Sequence, residues 1–172
     1  MELKNKNIAI FVAHLFEDLE LWYPKIRMIE AGAHITVIGP KTKEYKGKHG
    51  LTAKADKNIE QTEADDFDCL IIPGGYSPDY MRRNKKMIEF VRKINNGNKL
   101  IATICHGAWL LASAEIINGK TVTSFHSIID DLKHAGANWV NKEVVIDGNI
   151  LTSRNPNDLP AFCQNIIASL KD

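Results

Sequence analysis

A cysteine, a histidine and a glycine interrupt an apolar segment near the middle of the chain. Residues 101–111 read IATICHGAWLL, so Cys105, His106 and Gly107 separate one apolar run from another. A thiol between a buried strand and a helix projects from a sharp turn, where the helix dipole favours the thiolate. The ordinary thiol pKa of about 8.5 falls to roughly 3.5–7.5 in such positions. The pattern predicts that Cys105 is a nucleophile.

His106 has two possible functions beside this thiol. Neighbouring residues of a helix point in different directions, so the ring reaches the sulfur, as a general base, only if the turn bends it there. The alternative uses its backbone N–H together with that of Gly75, because both residues follow adjacent predicted strands and could form an oxyanion hole. The residues alone leave both functions open.

The segment HLFEDLE, after the first predicted strand, contains the second candidate catalytic group. An ionised carboxylate beside a thiolate raises the pKa of the thiol, so a catalytic carboxyl here has to be neutral. If burial keeps Glu17 protonated, it can donate a hydrogen bond to the sulfur and transfer a proton. In the alternative, structural interpretation, Glu17 only starts a helix whose N-terminus is stabilised by Asp18 and Glu20.

Composition narrows the range of partners. The chain has 172 residues, with 22 basic and 21 acidic side chains and a net charge of +1, so nothing in it favours nucleic acid or an anionic membrane. Its length fits one domain, residues 1–172, and no apolar stretch approaches the ~20 residues of a spanning helix. We expect a cytoplasmic protein with a small or neutral substrate.

The three cysteines do not form a recognisable framework. Cys69, Cys105 and Cys163 are odd in number and lack CxxC or clustered histidine spacing, which argues against disulfides and a structural zinc site. Cys69 lies inside an apolar strand pattern and Cys163 inside a helix pattern, so both are interpreted as packing residues. No metal or cofactor is predicted, and the lack of GxGxxG after the first strand disfavours a flavodoxin-like cofactor protein.

The chain alternates strand and helix patterns, which is typical of an α/β protein with a parallel sheet. The run NIAIFVA predicts a buried strand, and apolar residues recurring from Leu19 to Ala31 predict a helix. The later predicted elements are the strands ITVIGP, FDCLIIPGG, LIATI and TVTSF, helices over KKMIEFVRKINNGNK, 107–114, 127–135 and from Leu159, and a hairpin EVVIDGNILTS turning at Asp147-Gly148. The polar segment 41–58 predicts a surface excursion or short hairpin. Ligands of such sheets bind beyond the carboxyl ends of the strands. Three polar motifs lie at such ends, namely HLFEDLE, PGGYSPD and CHG.

These motifs together resemble the PfpI intracellular protease family of the class I glutamine-amidotransferase-like superfamily. The resemblance covers nearly the whole chain through FEDLEL, GKHG, IPGG, SPD, ATICHG, the DDL...AGA.WV pattern and VVIDGNILTSR.P. It implies a flavodoxin-like three-layer sandwich with a mostly parallel sheet and a nucleophile elbow. It also implies homodimers, or hexamers built from dimers.

The resemblance assigns a function to each matched residue. Cys105 matches the nucleophile, Glu17 the carboxyl in contact with its sulfur, and Gly75 and His106 the backbone oxyanion donors. In hexameric relatives a Glu from a neighbouring subunit orients the histidine, and Asp79 holds that position here.

Three aromatic or imidazole side chains near these motifs are candidate pocket residues. Trp109 stands where relatives often have Pro-Gln after the glycine, so it either packs in the core or an interface or narrows the pocket. His126 is either a second proton-transfer group or a loop histidine. His14, beside FED, is a further candidate on the same reasoning.

The resemblance implies a stress-related cysteine enzyme that acts on small carbonyl compounds or their adducts, or on peptides. In each reaction a Cys105 thiolate adds to a carbonyl while backbone amides hold the oxyanion. The competing hypothesis is non-enzymatic, with Cys105 as an oxidant sensor or part of a chaperone.

Overall fold

The computed structural model describes residues 1–171, in which strands and helices alternate along the chain. The strands are β1 (Asn7–Phe11), β2 (His34–Gly39), β3 (Glu44–Lys46), β4 (Thr52–Lys54), β5 (Lys57–Asn58), β6 (Cys69–Ile72), β7 (Leu100–Ile104), β8 (Thr121–Val122), β9 (Asn138–Trp139), β10 (Val144–Asp147) and β11 (Ile150–Ser153). The α-helices are α1 (Asp18–Glu30), α2 (Ser77–Arg82), α3 (Lys85–Asn96), α4 (Ala108–Ser113), α5 (Ile129–His134) and α6 (Leu159–Leu170).

Seven strands form the central sheet in the order β10-β11-β7-β6-β1-β2-β5. Every neighbouring pair is parallel except β10 and β11. The chain runs outward from β1 through β2 to β5 and then returns to β6 on the other side of β1. This reversal creates a crevice at the carboxyl ends of β1 and β6, the usual ligand position in such sheets. The topology confirms the predicted flavodoxin-like α/β class.

Helices cover both faces of the sheet and enclose two apolar clusters. Leu21 and Met28 of α1 pack with Phe162 of α6 on one face. The other face is covered by α3, α4 and α5, represented by Val91 and Leu110. The three-layer arrangement predicted from the resemblance is therefore present. No helix within residues 1–171 has the length and apolarity needed to cross a membrane.

The predicted element order agrees with the structure, apart from a few boundaries. The segment 41–58 forms the antiparallel hairpin of β3 and β4 followed by β5, and the turn at Asp147-Gly148 joins β10 to β11. The predicted strand over 121–125 is shorter, because only Thr121–Val122 is extended in a ladder.

The apolar residues that predicted α1 do not all face the core. Leu19, Ile26 and Ile29 are 55%, 60% and 51% exposed, whereas Leu21 and Met28 are fully buried. The helix was predicted correctly, but its recurring apolar residues form an outward stripe. This stripe is available for a contact outside the chain.

Asp18, the first residue of α1, ties the loop after β3 to the mouth of the crevice. Its buried side chain accepts hydrogen bonds from the backbone N–H groups of His49, at 2.9 Å, and Leu51, at 2.8 Å. A Cβ on Gly47 would lie 2.4 Å from the same carboxylate, so the loop can approach this closely only with glycine. Lys48 is thereby held beside the crevice.

We expect Asp18→Ala to lower the free energy of unfolding by about 3 kcal/mol, because the backbone N–H groups of His49 and Leu51 lose the buried carboxylate that accepts their hydrogen bonds. Urea denaturation measures this change. Asp130→Ala is the matched control, because Asp130 is an exposed first-turn residue of α5. Equal stability of the two variants would contradict the assigned function of Asp18.

Candidate active site

Cys105 occupies a strained turn directly after β7. Its φ of 61° lies in the left-handed region, which a residue with a side chain adopts only when its surroundings impose it. A Cβ on Gly107 would lie 2.5 Å from the backbone oxygen of Ile72, so glycine is needed where the elbow passes β6. The side chain is 8% exposed. The predicted strand-to-helix elbow is present, with a nearly buried thiol at its tip.

Two backbone N–H groups converge on the Cys105 sulfur. The amides of Gly75 and His106 both donate to it and lower the pKa of the thiol. Gly75 has a φ of 75°, and a Cβ there would meet the backbone oxygen of Leu15 at 2.4 Å. The strand ends after β6 and β7 therefore bring together the two amides predicted as oxyanion donors.

Glu20 lies against the sulfur from the first turn of α1. Its carboxyl is fully buried, and Oε2 accepts a hydrogen bond of 2.7 Å from the N–H of Gly74. Oε1 is buried with no partner in good hydrogen-bond geometry, and the Cys105 thiol is the neighbouring group that interacts with this carboxyl. Burial raises the pKa of Glu20 to about 8, although the hydrogen bond from the Gly74 amide acts to lower it. Glu20 is therefore a neutral acid at pH 7.

Glu17 does not have the position predicted for it. Its carboxylate is 3.1 Å from the ammonium group of Lys48 and 3.3 Å from Nε2 of His49, at the mouth of the crevice. The carboxyl in contact with the sulfur is that of Glu20, so the assignment to Glu17 is corrected. The two residues are three positions apart and lie on the same side of the helix start, Glu20 deeper by almost one turn.

The predicted lowering of the thiol pKa by the helix start is also corrected. Burial, followed by negative charge on Glu20, raises the pKa of Cys105, and the two amide donors offset this only in part. The resting group is a neutral thiol, so the reaction requires a base.

The ring of His106 reaches the sulfur and can act as that base. Nδ1 is 3.2 Å from Sγ of Cys105, and Nε2 is 3.1 Å from the hydroxyl of Ser127. Burial, then the positive charge of Lys48, lowers the pKa of His106, so the imidazole is neutral at pH 7. A hydrogen on Nε2 leaves Nδ1 free to accept the thiol proton. The geometry therefore allows both functions that the sequence left open for His106, the ring as a base and the backbone N–H as an oxyanion donor.

The cavity above the sulfur has a volume of about 360 Å³ and mostly apolar walls. Its lining comprises Leu15, Glu17, Glu20, Lys48, Gly75, Tyr76, Cys105, His106, Trp109, Phe125 and Pro156. This volume is at the small end of ligand pockets. A cleft of about 440 Å³ at the opposite edge of the sheet, around Lys99 and Asn149, contains no cysteine or histidine. The smaller cavity, which contains Cys105 and His106, is therefore the candidate active site.

Trp109 is a wall of this cavity, as one of its two interpretations predicted. Its Nε1 donates a hydrogen bond of 2.8 Å to Asp131, and its ring meets that of His106 edge-on at 5.0 Å. The guanidinium of Arg82 lies 5.5 Å from the ring centre on the other side. The indole is thus fixed by three contacts and narrows the space beside the imidazole.

The other predicted pocket residues lie elsewhere. His14 is outside the cavity: its Nδ1 accepts from the N–H of Lys46 and its ring packs on Tyr45, so its assignment as a pocket residue is wrong. His126 is exposed, packs on Phe125 at 4.3 Å and does not line the cavity, so its assignment as a pocket residue is also wrong.

Asp79 lies on α2, where its carboxylate accepts a hydrogen bond from Arg83. A contact with the His106 of a second subunit stays a prediction. Sequence reasoning missed Ser127 entirely, because 21 residues separate it from the histidine and no local pattern marks it. Within residues 1–171 no cluster of three His, Cys, Asp or Glu side chains could hold a metal ion.

Comparison with known proteins identifies the family of the chain. The DJ-1/PfpI family profile matches residues 6–169. Deglycase PfpI of Pyrococcus furiosus is 40% identical over 164 residues, covering 95% of this chain and 99% of that protein. Protein/nucleic acid deglycase 2 of Escherichia coli is 40% identical over 161 residues, covering 92% of this chain and 94% of that protein.

Among solved structures, a two-domain protein of Anabaena variabilis with a DJ-1/ThiJ/PfpI-like and a ferritin-like domain superposes with a TM-score of 0.95. It is 38% identical, and the match covers 96% of this chain and 48% of that one. The sequence match spans almost the whole chain, and the solved structure has the same fold. The chain therefore belongs to the DJ-1/PfpI family.

Proposed function

We propose that the protein is a cysteine-dependent enzyme that acts on small carbonyl compounds or their adducts with amines and thiols. The observation that carries this proposal is the neutral imidazole of His106, whose Nδ1 lies 3.2 Å from a sulfur that two backbone amides also contact. The small, apolar cavity suits a small substrate, and two similar proteins bear the name deglycase.

The first step is addition of the thiol to an aldehyde, for which methylglyoxal serves as the example. His106 takes the thiol proton at Nδ1 while sulfur bonds to the aldehyde carbon. The N–H groups of Gly75 and His106 hold the resulting oxyanion. The oxyanion then takes the proton back from the imidazolium, which gives a neutral hemithioacetal on Cys105.

The second step moves a hydrogen between the two carbons of the substrate. A base removes the hydrogen of the hemithioacetal carbon as a proton, which gives an enediol, and a proton returns at the former ketone carbon. The hydroxyl proton of the hemithioacetal passes to the former ketone oxygen, so the product is the thioester of a 2-hydroxy acid. The first carbon is oxidised by two electrons and the second is reduced by two, so no external oxidant is needed. His106 and Glu20 are the two titratable groups in contact with the sulfur and move this proton. Water then hydrolyses the thioester, releasing lactate and the free thiol.

We further propose a cytoplasmic homodimer, or a hexamer built from dimers. The outward apolar stripe of α1, at Leu19, Ile26 and Ile29, supports a contact with a second copy, because burying it removes apolar surface from water. Its position beside Glu20 on the same helix would place the interface close to the cavity.

Cys105→Ala is expected to abolish conversion of methylglyoxal to lactate, because no covalent intermediate can form. Lactate formation, followed over time, measures this loss. Cys163→Ala is the matched control, because Cys163 is a buried core residue of α6.

Full activity of the Cys105→Ala variant would contradict the proposal. Cleavage of a fluorogenic peptide that depends on Cys105, with no turnover of the dicarbonyl, would identify a peptidase instead. Selective oxidation of Cys105 at low peroxide, again without turnover, would identify a sensor.

Glu20→Gln is expected to lower kcat/KM by about 10²- to 10⁴-fold, because it removes a proton-transfer group at the sulfur. Since the pKa of Glu20 is raised to about 8, wild-type activity should fall as the pH rises above this value. The variant has no carboxyl to titrate there, so this fall should disappear. The profile of kcat/KM against pH provides the measurement.

The same raised pKa affects stability. A carboxyl that binds its proton more tightly in the folded chain contributes stability below its unfolded pKa and loses it as the pH rises toward 8. Wild-type stability should therefore fall between about pH 5 and 8 relative to Glu20→Gln.

Glu17→Gln, the matched comparison, should change kcat/KM less than tenfold. A larger effect at Glu17 than at Glu20 would overturn the corrected assignment.

A further inference from the structure

We propose that the Ser127 hydroxyl orients His106 within a single chain and thereby favours addition to aldehydes over hydrolysis of amides. The part that concerns substrates rests on the function proposed above, whereas the orientation of the imidazole does not. Ser127 touches neither the sulfur nor the cavity, so it is a positioning residue.

The turn that carries Ser127 is attached to the elbow through the backbone. The N–H of Phe125 donates to the backbone oxygen of Cys105 at 3.3 Å. Ser124 anchors the same segment, since its hydroxyl donates to the Phe125 oxygen at 2.9 Å and accepts from Nε1 of Trp139 at 3.1 Å. The distance between Ser127 and His106 therefore depends on the elbow itself rather than on a free loop.

The imidazole is held on its faces as well as at its nitrogens. The Phe125 ring stacks on it at 5.2 Å with an interplanar angle of 28°, and Trp109 contacts it edge-on. With the ring plane fixed, the Ser127 hydroxyl can accept the hydrogen of Nε2 across the 3.1 Å contact. Nδ1 then presents a lone pair to the thiol.

Among residues 1–171, no carboxylate forms a hydrogen bond or an ion pair with His106. Asp79 is engaged with Arg83, and Asp131 is engaged with Trp109. The charged and titratable groups that surround the imidazole are Cys105, Glu17, Glu20, Lys48, His126 and Asp131. Burial of the ring, then the positive charge of Lys48, lowers the pKa of His106, and Asp131 opposes this only in part, so the imidazolium is disfavoured.

This arrangement has a consequence for the reaction. Hydrolysis of an amide needs an imidazolium that survives long enough to protonate an amine leaving group, and a buried carboxylate supports it in triads of that kind. A serine hydroxyl carries no charge and gives only an orienting hydrogen bond. Addition to an aldehyde has no leaving group, and the proton returns to the oxyanion in the same step. The site is therefore matched to carbonyl addition.

The experiment measures alkylation of Cys105 by iodoacetamide from pH 5 to 9, with labelling at Cys105 determined by mass spectrometry. Alkylation forms a carbon–sulfur bond and releases iodide, so it reports removal of the thiol proton without any natural substrate. Ser127→Ala should slow the reaction at pH 7 about three- to tenfold, as expected for loss of one hydrogen bond. Ser127→Thr should restore the rate, since it restores the hydroxyl. Ser169→Ala, an exposed serine on α6, is the matched control and should behave as wild type.

Ser127→Asp tests the inference about substrates. A carboxylate on Nε2 raises the pKa of His106, so the acidic limb of the alkylation profile should move to higher pH. The ratio of peptide cleavage to methylglyoxal conversion should rise relative to wild type. An unchanged ratio with a shifted limb would overturn the substrate inference alone.

The orientation inference has its own opposing outcome. If Ser127→Ala alkylates like wild type while Asp79→Asn is slowed, an acid from a second subunit orients His106 and the proposal is wrong. Absence of turnover in wild type, with the alkylation changes as expected, would overturn the proposed function and leave the positioning by Ser127 supported. Thermal unfolding of each variant confirms that the changes do not reflect lost structure.

Discussion

The site depends on a buried carboxyl placed against a thiol. Two groups that each carry a negative charge after losing a proton share a pocket from which water is largely removed, so they cannot both ionise at neutral pH. The Gly74 amide fixes one carboxyl oxygen of Glu20, and the Gly75 and His106 amides face the sulfur. These backbone donors decide where charge can appear during a reaction. Glycines 74 and 75 allow them to approach so closely, since a Cβ on either would overlap neighbouring atoms.

Because the resting thiol is neutral, a second group in the site has to remove its proton. A thiolate stabilised in advance would need only a substrate and an oxyanion hole, whereas a neutral thiol needs a base that is itself neutral. His106 meets this requirement because burial and nearby positive charge lower its pKa, and because its ring reaches the sulfur. The positive φ of Cys105 makes the contact possible, since it turns the chain sharply between the two adjacent residues. Backbone strain at the nucleophile therefore places the base as well as the sulfur.

The sequence predicted those parts of the fold and site that depend on local pattern. Strand and helix order, the elbow at Cys105 and the amide at Gly75 all follow from short apolar runs that end in glycine or cysteine. The sequence could not distinguish Glu17 from Glu20, because both lie at the start of α1 and the helix pattern does not show which carboxyl is buried. The sequence could not predict the contact between Ser127 and His106, because this contact arises from the packing of the turn after β8 on the elbow. The thiol pKa depends on burial, which no local pattern measures.

Helix α1 contributes both to an exposed apolar surface and to the candidate active site. The apolar stripe on α1 faces outward, while Glu20 on the same helix faces the sulfur, so one helix serves two surfaces. The thiol, imidazole, carboxyl and both oxyanion amides come from one chain. A second copy packed on the stripe would cover apolar surface and restrain α1, and hence the depth of Glu20, without supplying a reacting group. Because Glu20 is already fully buried within one chain, its raised pKa does not depend on the association of subunits.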